Sequence, residues 1–367
     1  MAKTLQQILG GRNLTGVIQG IRPGLPDDIL PPALVKPGVT RSIKGDTGTY
    51  RKVEGTRKTA RIAMYGSKSQ QRNLSGVTEK SFKCLHSIEN IQIKPDVLVN
   101  LESNDGSEQR LGEEEVAREV SEFRQLFDNT RVASVFSAFA LGKVHFDSDG
   151  NLLPTSSSAA ISVDYEIPSG NLGQLDVFGG GAIISASWAT AGTKIAKHVQ
   201  LLHKAARKKT GYKLEHALYG ENIFDYFLSN TQLKEIIYRN NRFQDAFTTG
   251  EIPDGFLGIK KWWPAYQGFF EDQNGVLQDS FGVDTVTFIP EPDPTWWEWI
   301  NGSYPVPTTI DLQPDASSAL STIVLQSGMF MYAVLTTDPV GIKMIAGDTF
   351  LPMIKVPGSV FIADVTP

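Results

Sequence analysis

The sequence predicts an α+β fold. Short alternating runs recur between turn signals, with 34 glycines and 20 prolines spread over 367 residues, while one acidic stretch keeps helical spacing for about thirty residues. At about 150 residues per domain, this length corresponds to two or three domains. Hydrophobic residues at 41% and charged residues at 20% supply enough apolar surface for packed cores and exclude wholesale disorder. The single cysteine, Cys84, allows no internal disulfide and no cysteine-rich metal site. No stretch of about 18 uninterrupted apolar residues occurs, and the first residues lack the flanks of a secretion signal. The expectation is a soluble intracellular product with no membrane contact.

The net charge is −5, which argues against a surface that clamps nucleic acid all round. The charges are segregated. From Lys36 to Lys83 twelve basic residues face three acids, a net of +9, and from Cys84 to Asp128 four bases face eleven acids, a net of −7. Within the basic block, Thr49-Tyr-Arg-Lys-Val and Ala60-Arg-Ile-Ala-Met-Tyr mix β-formers with bases between glycine turns, which predicts a long two-stranded excursion. Such a ribbon is marginal alone and must lie on something. Three readings stand at this point: a solvated basic loop, contact with phosphates, or contact with the acidic surface of another copy of the chain, where complementary charge sets register.

Glu113-Glu-Glu opens the clearest helix, its acids complementing a helix N-terminus, with Val116, Val120, Phe123 and Phe127 on one stripe. The stripe drifts to Val132, Val135, Phe136 and Phe139 before Gly142 supplies a stop, so the element should span on the order of 40 Å. Val144 and Phe146, then Ile161, Val163, Tyr165 and Ile167, predict a hairpin. Asp147, Asp149 and Asn151 do not make a calcium loop, because Gly150 stands at the fourth place rather than the sixth.

Phe178-Gly-Gly-Gly lacks phosphate-loop spacing and reads as a joint. Ser187 to Gly211 reads as one helix, with Lys204, Arg207, Lys208 and Lys209 suiting the negative end of its dipole. His198 and His203, five apart, do not share a helix face and do not make a zinc pair. Ala217–Asn230 and Leu233–Phe247 read as further helices, Val283–Pro290 as a strand, and Asn274-Gly275 as a turn. Trp262, Trp263, Trp296, Trp297 and Trp299 form aromatic groups that are packing or interface anchors, or, if exposed, a platform for a sugar or a base. The chain from Gly328 onward reads as short strands returning to the long helix. No G-x-S-x-G, P-loop or HExxH motif occurs, so no catalytic residue, metal ligand or cofactor is assigned.

The order of several segments resembles the lambda-type capsid protein E family of tailed bacteriophages. Its carriers are the acidic helix ending in Phe139-Ala-Leu-Gly-Lys-Val, Asp164-Tyr-Glu-Ile-Pro before Ser187-Trp-Ala-Thr-Ala, Lys208-Lys-Thr-Gly, Ala217-Leu-Tyr-Gly-Glu-Asn-Ile-Phe-Asp, Trp263-Pro-Ala-Tyr-Gln-Gly-Phe-Phe and Phe350-Leu-Pro-Met-Ile-Lys-Val-Pro-Gly. The resemblance runs from about Arg41 to Val365 and lies in their order. It implies an HK97-like major capsid fold: an N-terminal arm (1–44), an extended loop (45–82), a peripheral domain with a spine helix (83–169), an axial domain (170–310) and return strands of the peripheral domain (311–367). It implies a non-enzymatic shell subunit that forms hexamers and pentamers of an icosahedral capsid around double-stranded DNA, part of the virion and assembled in the host cytoplasm. Arg51, Lys52, Arg57, Lys58 and Arg61 of the loop would meet Glu113, Glu114, Glu115, Glu119 and Glu122 of a neighbour's spine helix. Because about forty residues precede the basic block, a separate scaffolding protein is expected, with a portal and a decoration protein as further partners. The rival expectation is a cytosolic carbohydrate- or nucleic-acid-binding protein that uses the tryptophans.

Overall fold

The computed structural model describes residues 8–22, 28–35, 40–53, 77–103, 105–148, 152–153, 159–271, 275–279, 281–307, 323–337 and 340–366. Helices α1 (Gly11–Gly20) and α2 (Pro32–Val35) lead to β1 (Thr40–Ser42). Strands β2 (Thr47–Val53) and β3 (Val77–Lys83) pair as an antiparallel ribbon, and β4 (Leu85–Ile93) continues from it. After α3 (Pro95–Glu102) comes the long α4 (Gly106–Leu141), then a small sheet of β5 (Lys143–Phe146), β6 (Leu152–Leu153) and β7 (Ile161–Asp164). Next come β8 (Leu172–Gly173), α5 (Ile195–Lys209), β9 (His216–Tyr219), α6 (Asn222–Ser229), α7 (Thr231–Tyr238), α8 (Asn241–Thr248) and β10 (Lys261–Pro264). The hairpin of β11 (Phe269–Glu271) and β12 (Leu277–Asp279) precedes β13 (Thr285–Ile289). The chain closes with β14 (Trp297–Asn301), β15 (Ser303–Pro307), β16 (Ile323–Ser327), β17 (Phe330–Thr337), β18 (Val340–Ile354) and β19 (Phe361–Asp364).

Two five-stranded sheets organise these elements. In the first, β18 pairs antiparallel with β17, β4 and β14, and β1 adds parallel to β14. The second runs β10-β9-β13-β19-β8. Strand β14 belongs with the C-terminal β18, and β19 lies between β13 and β8. Sheet membership follows backbone hydrogen bonding between distant segments, which composition along the chain does not report.

Helix α4 starts seven residues before the expected Glu113. Asp105 is its N-cap, with Oδ1 accepting from the Ser107 N–H at 2.9 Å, and Glu108 supplies the first-turn acid. The helix stops at Gly142, whose φ of +70° lets the Gly142 N–H reach the Ala138 carbonyl. Its 36 residues span about 54 Å at 1.5 Å each. The drift of its apolar stripe has a structural cause, because the two halves serve different cores. Val116, Val120, Phe123 and Phe127 pack with Leu14 and Ile18 of α1 and with Met331, Ala333, Ile342 and Met344 of the first sheet. Val135, Phe136 and Phe139 pack with Trp263, Trp296, Trp297 and Trp299. The edge of β17 is covered by α1: the Thr15 hydroxyl donates to the Met331 carbonyl at 2.9 Å and accepts from the Met331 N–H at 3.1 Å.

Other boundaries also differ from expectation. The segment 187–194 is not helical; Thr193 Oγ1 bonds the Ser187 carbonyl, Trp188 N–H is held by Val365, and α5 begins only at Ile195. His216–Tyr219 forms a buried strand where helix is expected from Ala217 onward, because β10 and β13 pair on both sides of it. Leu233–Phe247 is broken into two helices by Asn240, whose side chain caps α8 by accepting from the Arg242 N–H. The closing strands are not all short, since β18 has 15 residues.

Where α4 crosses β18, Arg131 and Asp348 form a bidentate pair, Nε to Oδ2 at 2.6 Å and Nη2 to Oδ1 at 2.7 Å. Asp348 is fully buried, and the guanidinium lies over the rings of Trp299 and Phe350. In the second sheet, Trp263 Nε1 donates to His216 Nδ1 at 3.1 Å, which leaves Nε2–H to donate to Glu291. Trp188 Nε1 likewise donates to His198 Nδ1. Both imidazoles are thereby held neutral, and burial lowers both pKa values, Glu291 opposing this at His216 and Lys197 reinforcing it at His198.

Arg131→Met leaves a buried carboxylate unpaired and should cost about 3–5 kcal/mol in denaturant unfolding, whereas adding Asp348→Leu should recover most of that stability; a single variant as stable as wild type would refute the clamp. Because the two histidines titrate lower in the fold than the ordinary 6.5, their stabilisation should be complete above that value. It should fall as pH drops through it toward the folded values, by up to about 1.4 kcal/mol per pH unit per histidine. Trp263→Phe, which frees His216 Nδ1 to take a proton, should flatten part of that dependence in unfolding curves taken on either side of pH 6.5; an identical slope in the variant would count against the tautomer lock.

Candidate inter-subunit surfaces

The ribbon is rooted on the body by aromatic packing. Tyr50 and Phe82 lie 6.3 Å apart between centroids and pack on the cluster of Cys84, Ile300, Leu351 and Met353. Phe82 sits over Gly48, where a Cβ would fall 2.6 Å from the ring, so only glycine allows this approach. Two ribbon cations are committed within the chain: Lys80 pairs with Glu166, and Lys83 with Asp46 at 3.6 Å. The hydrogen bond to Glu166 raises the Lys80 pKa above the ordinary lysine value. Sequence reasoning does not single out either acid. Glu166 lies 86 residues from Lys80 and sits at φ +53° after Asp164, whose Oδ1 accepts its N–H; such pairing has no local signature.

The ribbon root borders a cleft of about 550 Å³ lined by Tyr50, Phe82, Cys84, His86, Val163 and Met353 among others. Burial pushes the Cys84 thiol up to about 12, with Asp46 and Asp348 adding to it. His86 bonds Thr349 Oγ1 at 2.8 Å and stacks on Tyr304, which stacks on Phe330 at 4.4 Å. Burial lowers the His86 pKa, against the opposing pull of Asp348 and Asp46. The cleft wall is mixed, with Lys80, Lys83, Asp164 and Glu166 beside its apolar side chains.

Of the five loop residues assigned to contacts, Arg51 and Lys52 stand on β2 in register with Glu79 and Thr78. Arg57, Lys58 and Arg61 lie outside the described residues. The five assigned acids all lie in the first half of α4. Glu114 and Glu122 are exposed, and Glu113, Glu115 and Glu119 are half-buried. Two arginines on the same helix moderate them. Arg110 pairs with Glu114 at 3.0 Å, and Arg118 is ringed by Glu115, Glu119 and Glu122. Such exposed pairs contribute little to stability, and six acids, Glu108 included, against two arginines leave this half of the helix acidic. Loop and helix residues are not brought together within one chain among the described residues. The tryptophans are interior: Trp296 and Trp297 are 0% exposed and Trp299 2%. Trp262 and Trp263 are buried as well, which removes the stacking platform that the rival expectation needs. Among the described residues no group of three or more histidine, cysteine, aspartate or glutamate side chains could hold a metal ion, and no helix is long and apolar enough to cross a membrane.

The family model of phage major capsid protein E matches residues 29–365. No curated protein matches the chain. Among solved structures, a phage-related protein of Bordetella bronchiseptica RB50 is similar at 10% identity over 98% of both chains, with a TM-score of 0.48. A chain of the cyanophage A-1(L) capsid is similar at 8% identity over 91% of both, with a TM-score of 0.46. One from Gordonia phage Cozz is similar at 10% identity over 94% of this chain and 91% of that one, with a TM-score of 0.45. With the family model spanning nearly the whole sequence, from the residues just before α2 to the end of the second sheet, the chain belongs to the phage major capsid protein E family and is a structural subunit of a virion shell.

Proposed function

We propose that copies of this chain close into hexamers and pentamers of an icosahedral shell around double-stranded DNA, the basic ribbon of one copy lying across the acidic first half of α4 in the next. The observation that carries this reading is the segregation of charge: a net of +9 between Lys36 and Lys83 is followed by a net of −7 to Asp128. Lys80 and Lys83 are engaged within the chain, so Arg51, Lys52, Arg57, Lys58 and Arg61 are the proposed contacts on the ribbon. Glu113, Glu114, Glu115, Glu119 and Glu122 are the proposed partners. Contacts that join one surface to a different one close into rings when the rotation permits, which is the geometry a capsomer needs. Complementary charge favours the correct register and speeds encounter more than it adds affinity.

In this reading the arm, ribbon and α4 form the peripheral part and the second sheet with α5 to α8 the axial part. The subunit works by tiling, with no reaction of its own. Assembly takes place in the host cytoplasm with a separate scaffolding protein, a portal and a decoration protein.

Reversing Arg57, Lys58 and Arg61 to glutamate should lower the yield of particles, as read by sedimentation and negative-stain microscopy, by about tenfold or more, the effect of about 1.4 kcal/mol at one contact. Combining that variant with Glu114→Lys and Glu122→Lys should restore part of it. Wild-type assembly should also weaken as salt screens the contact. Normal shells from the triple variant at low and high salt alike would end this assignment.

A further inference from the structure

Helix α5 carries a second, separate charge feature. Lys194, Lys197, Leu201, Lys204 and Lys208 recur at intervals of three and four, so they form one straight stripe, and all five are exposed. The opposite stripe, Ile195, Val199, Leu202 and Ala206, is buried in the core of the second sheet. From Val177 to Leu214 the sequence holds seven lysines and arginines and no acid. The acid just outside, Asp176, is turned onto the Gly181 N–H at 3.2 Å. Among the described residues none of the four lysines makes an ion pair; Lys208 instead lies 4.7 Å from the centroid of the exposed Phe178 ring. The arginines of α4, by contrast, are each paired.

The helix dipole accounts for the cations of the last turn but not for Lys194 at the N-cap and Lys197 in the first turn, which face the positive end. Like charges at three- and four-residue spacing also repel. A charge pattern that opposes the local energetics at one end of the helix calls for an anion from outside.

We propose that this face of α5, with the 176–193 loop beside it, binds the phosphate backbone of double-stranded nucleic acid without reading sequence. The stripe from Lys194 to Lys208 runs about 21 Å along the helix, which matches about six phosphates of one strand at 3.4 Å each. Two clefts of about 420 and 520 Å³ open along it between helix and loop, where Gly180, Ser185 and Thr190 stand beside the lysines. An acidic protein is a poorer match, because lysine is depleted at protein interfaces and, among the described residues, Leu201 and Phe178 are the only exposed large apolar side chains on this face. The proposal rests on the genome-enclosing reading only for the choice of a duplex; the surface itself stands on α5 alone.

The test is anisotropy of a short labelled DNA duplex titrated with the full chain across a salt series. Replacing Lys197, Lys204 and Lys208 with glutamine should weaken binding and reduce the slope of log K against log salt by about 2.7, because each phosphate left without its lysine takes about 0.9 from the slope. Lys197→Arg, Lys204→Arg and Lys208→Arg together should keep the wild-type slope, which separates removal of charge from failure to fold. An unchanged slope in the glutamine variant, or a slope that falls only when Arg57, Lys58 and Arg61 are replaced by glutamine, would overturn the proposal. Equal displacement of the duplex by polyglutamate at matched charge would overturn it too and assign the face to an acidic protein. Particle yield of the same glutamine variant reads assembly independently: normal shells with a reduced slope support this site, and normal shells with an unreduced one refute it without touching the ribbon contact.

Discussion

The fold depends on how a single long helix is held in register against a single long strand. Helix α4 must bury one stripe under the first sheet and a second stripe against the tryptophan cluster, and β18 must pair with three other strands along its length. A slip of either would expose both cores. The bidentate contact of Arg131 with the buried Asp348 sits at their crossing. Its energetic value lies less in net attraction, which desolvation largely offsets, than in the cost of every arrangement that would leave one charge buried alone. Stacking of the guanidinium on Trp299 and Phe350 places the same demand on orientation.

That rigid crossing gives the peripheral features something to project from. The ribbon leaves the body through Tyr50 and Phe82, packed on residues of β14 and β18, and its root is tied by Lys80 to Glu166. The acidic half of α4 extends from the other side of the crossing. A subunit that tiles is helped by this division of a stiff centre and outlying charged surfaces. The acidic half of α4 and the exposed lysines of α5 are two surfaces of opposite sign on one chain.

The interior accounts for residues that could be mistaken for a binding site. All the tryptophans of the 296–299 group are core, and two others act as hydrogen-bond donors to histidine Nδ1 atoms. A tryptophan N–H in a core needs an acceptor, and a neutral imidazole provides one while remaining uncharged. The placement of His198 and His216 is thus a matter of satisfying indoles rather than of metal or proton chemistry.

Much is legible from the residues alone, for identifiable reasons. The first strand of the ribbon, the stripe of α4 and its stop at Gly142 are local patterns, set by strand alternation, helical periodicity and the φ that glycine permits; the second strand read at Ala60–Tyr65 lies outside the described residues, and β2 pairs with Val77–Lys83. The start of α4 lies seven residues ahead of its sequence signal because the run Glu113-Glu-Glu mimics a first turn, while the actual cap is a single aspartate, Asp105. Ala217–Tyr219 reads as the start of a helix because the strand character of His216–Tyr219 comes from neighbours on both sides rather than from its own residues. Charge segregation is a property of the chain that leaves three readings open, and the shell subunit is implied by the resemblance carried in the order of the segments. Which acid meets Lys80, which strand completes each sheet, and which lysines of α5 share one exposed face were decided only by the tertiary structure. Those relations join residues far apart in sequence or depend on what packs around them, and burial and pairing across such distances are set by packing, which no local pattern encodes.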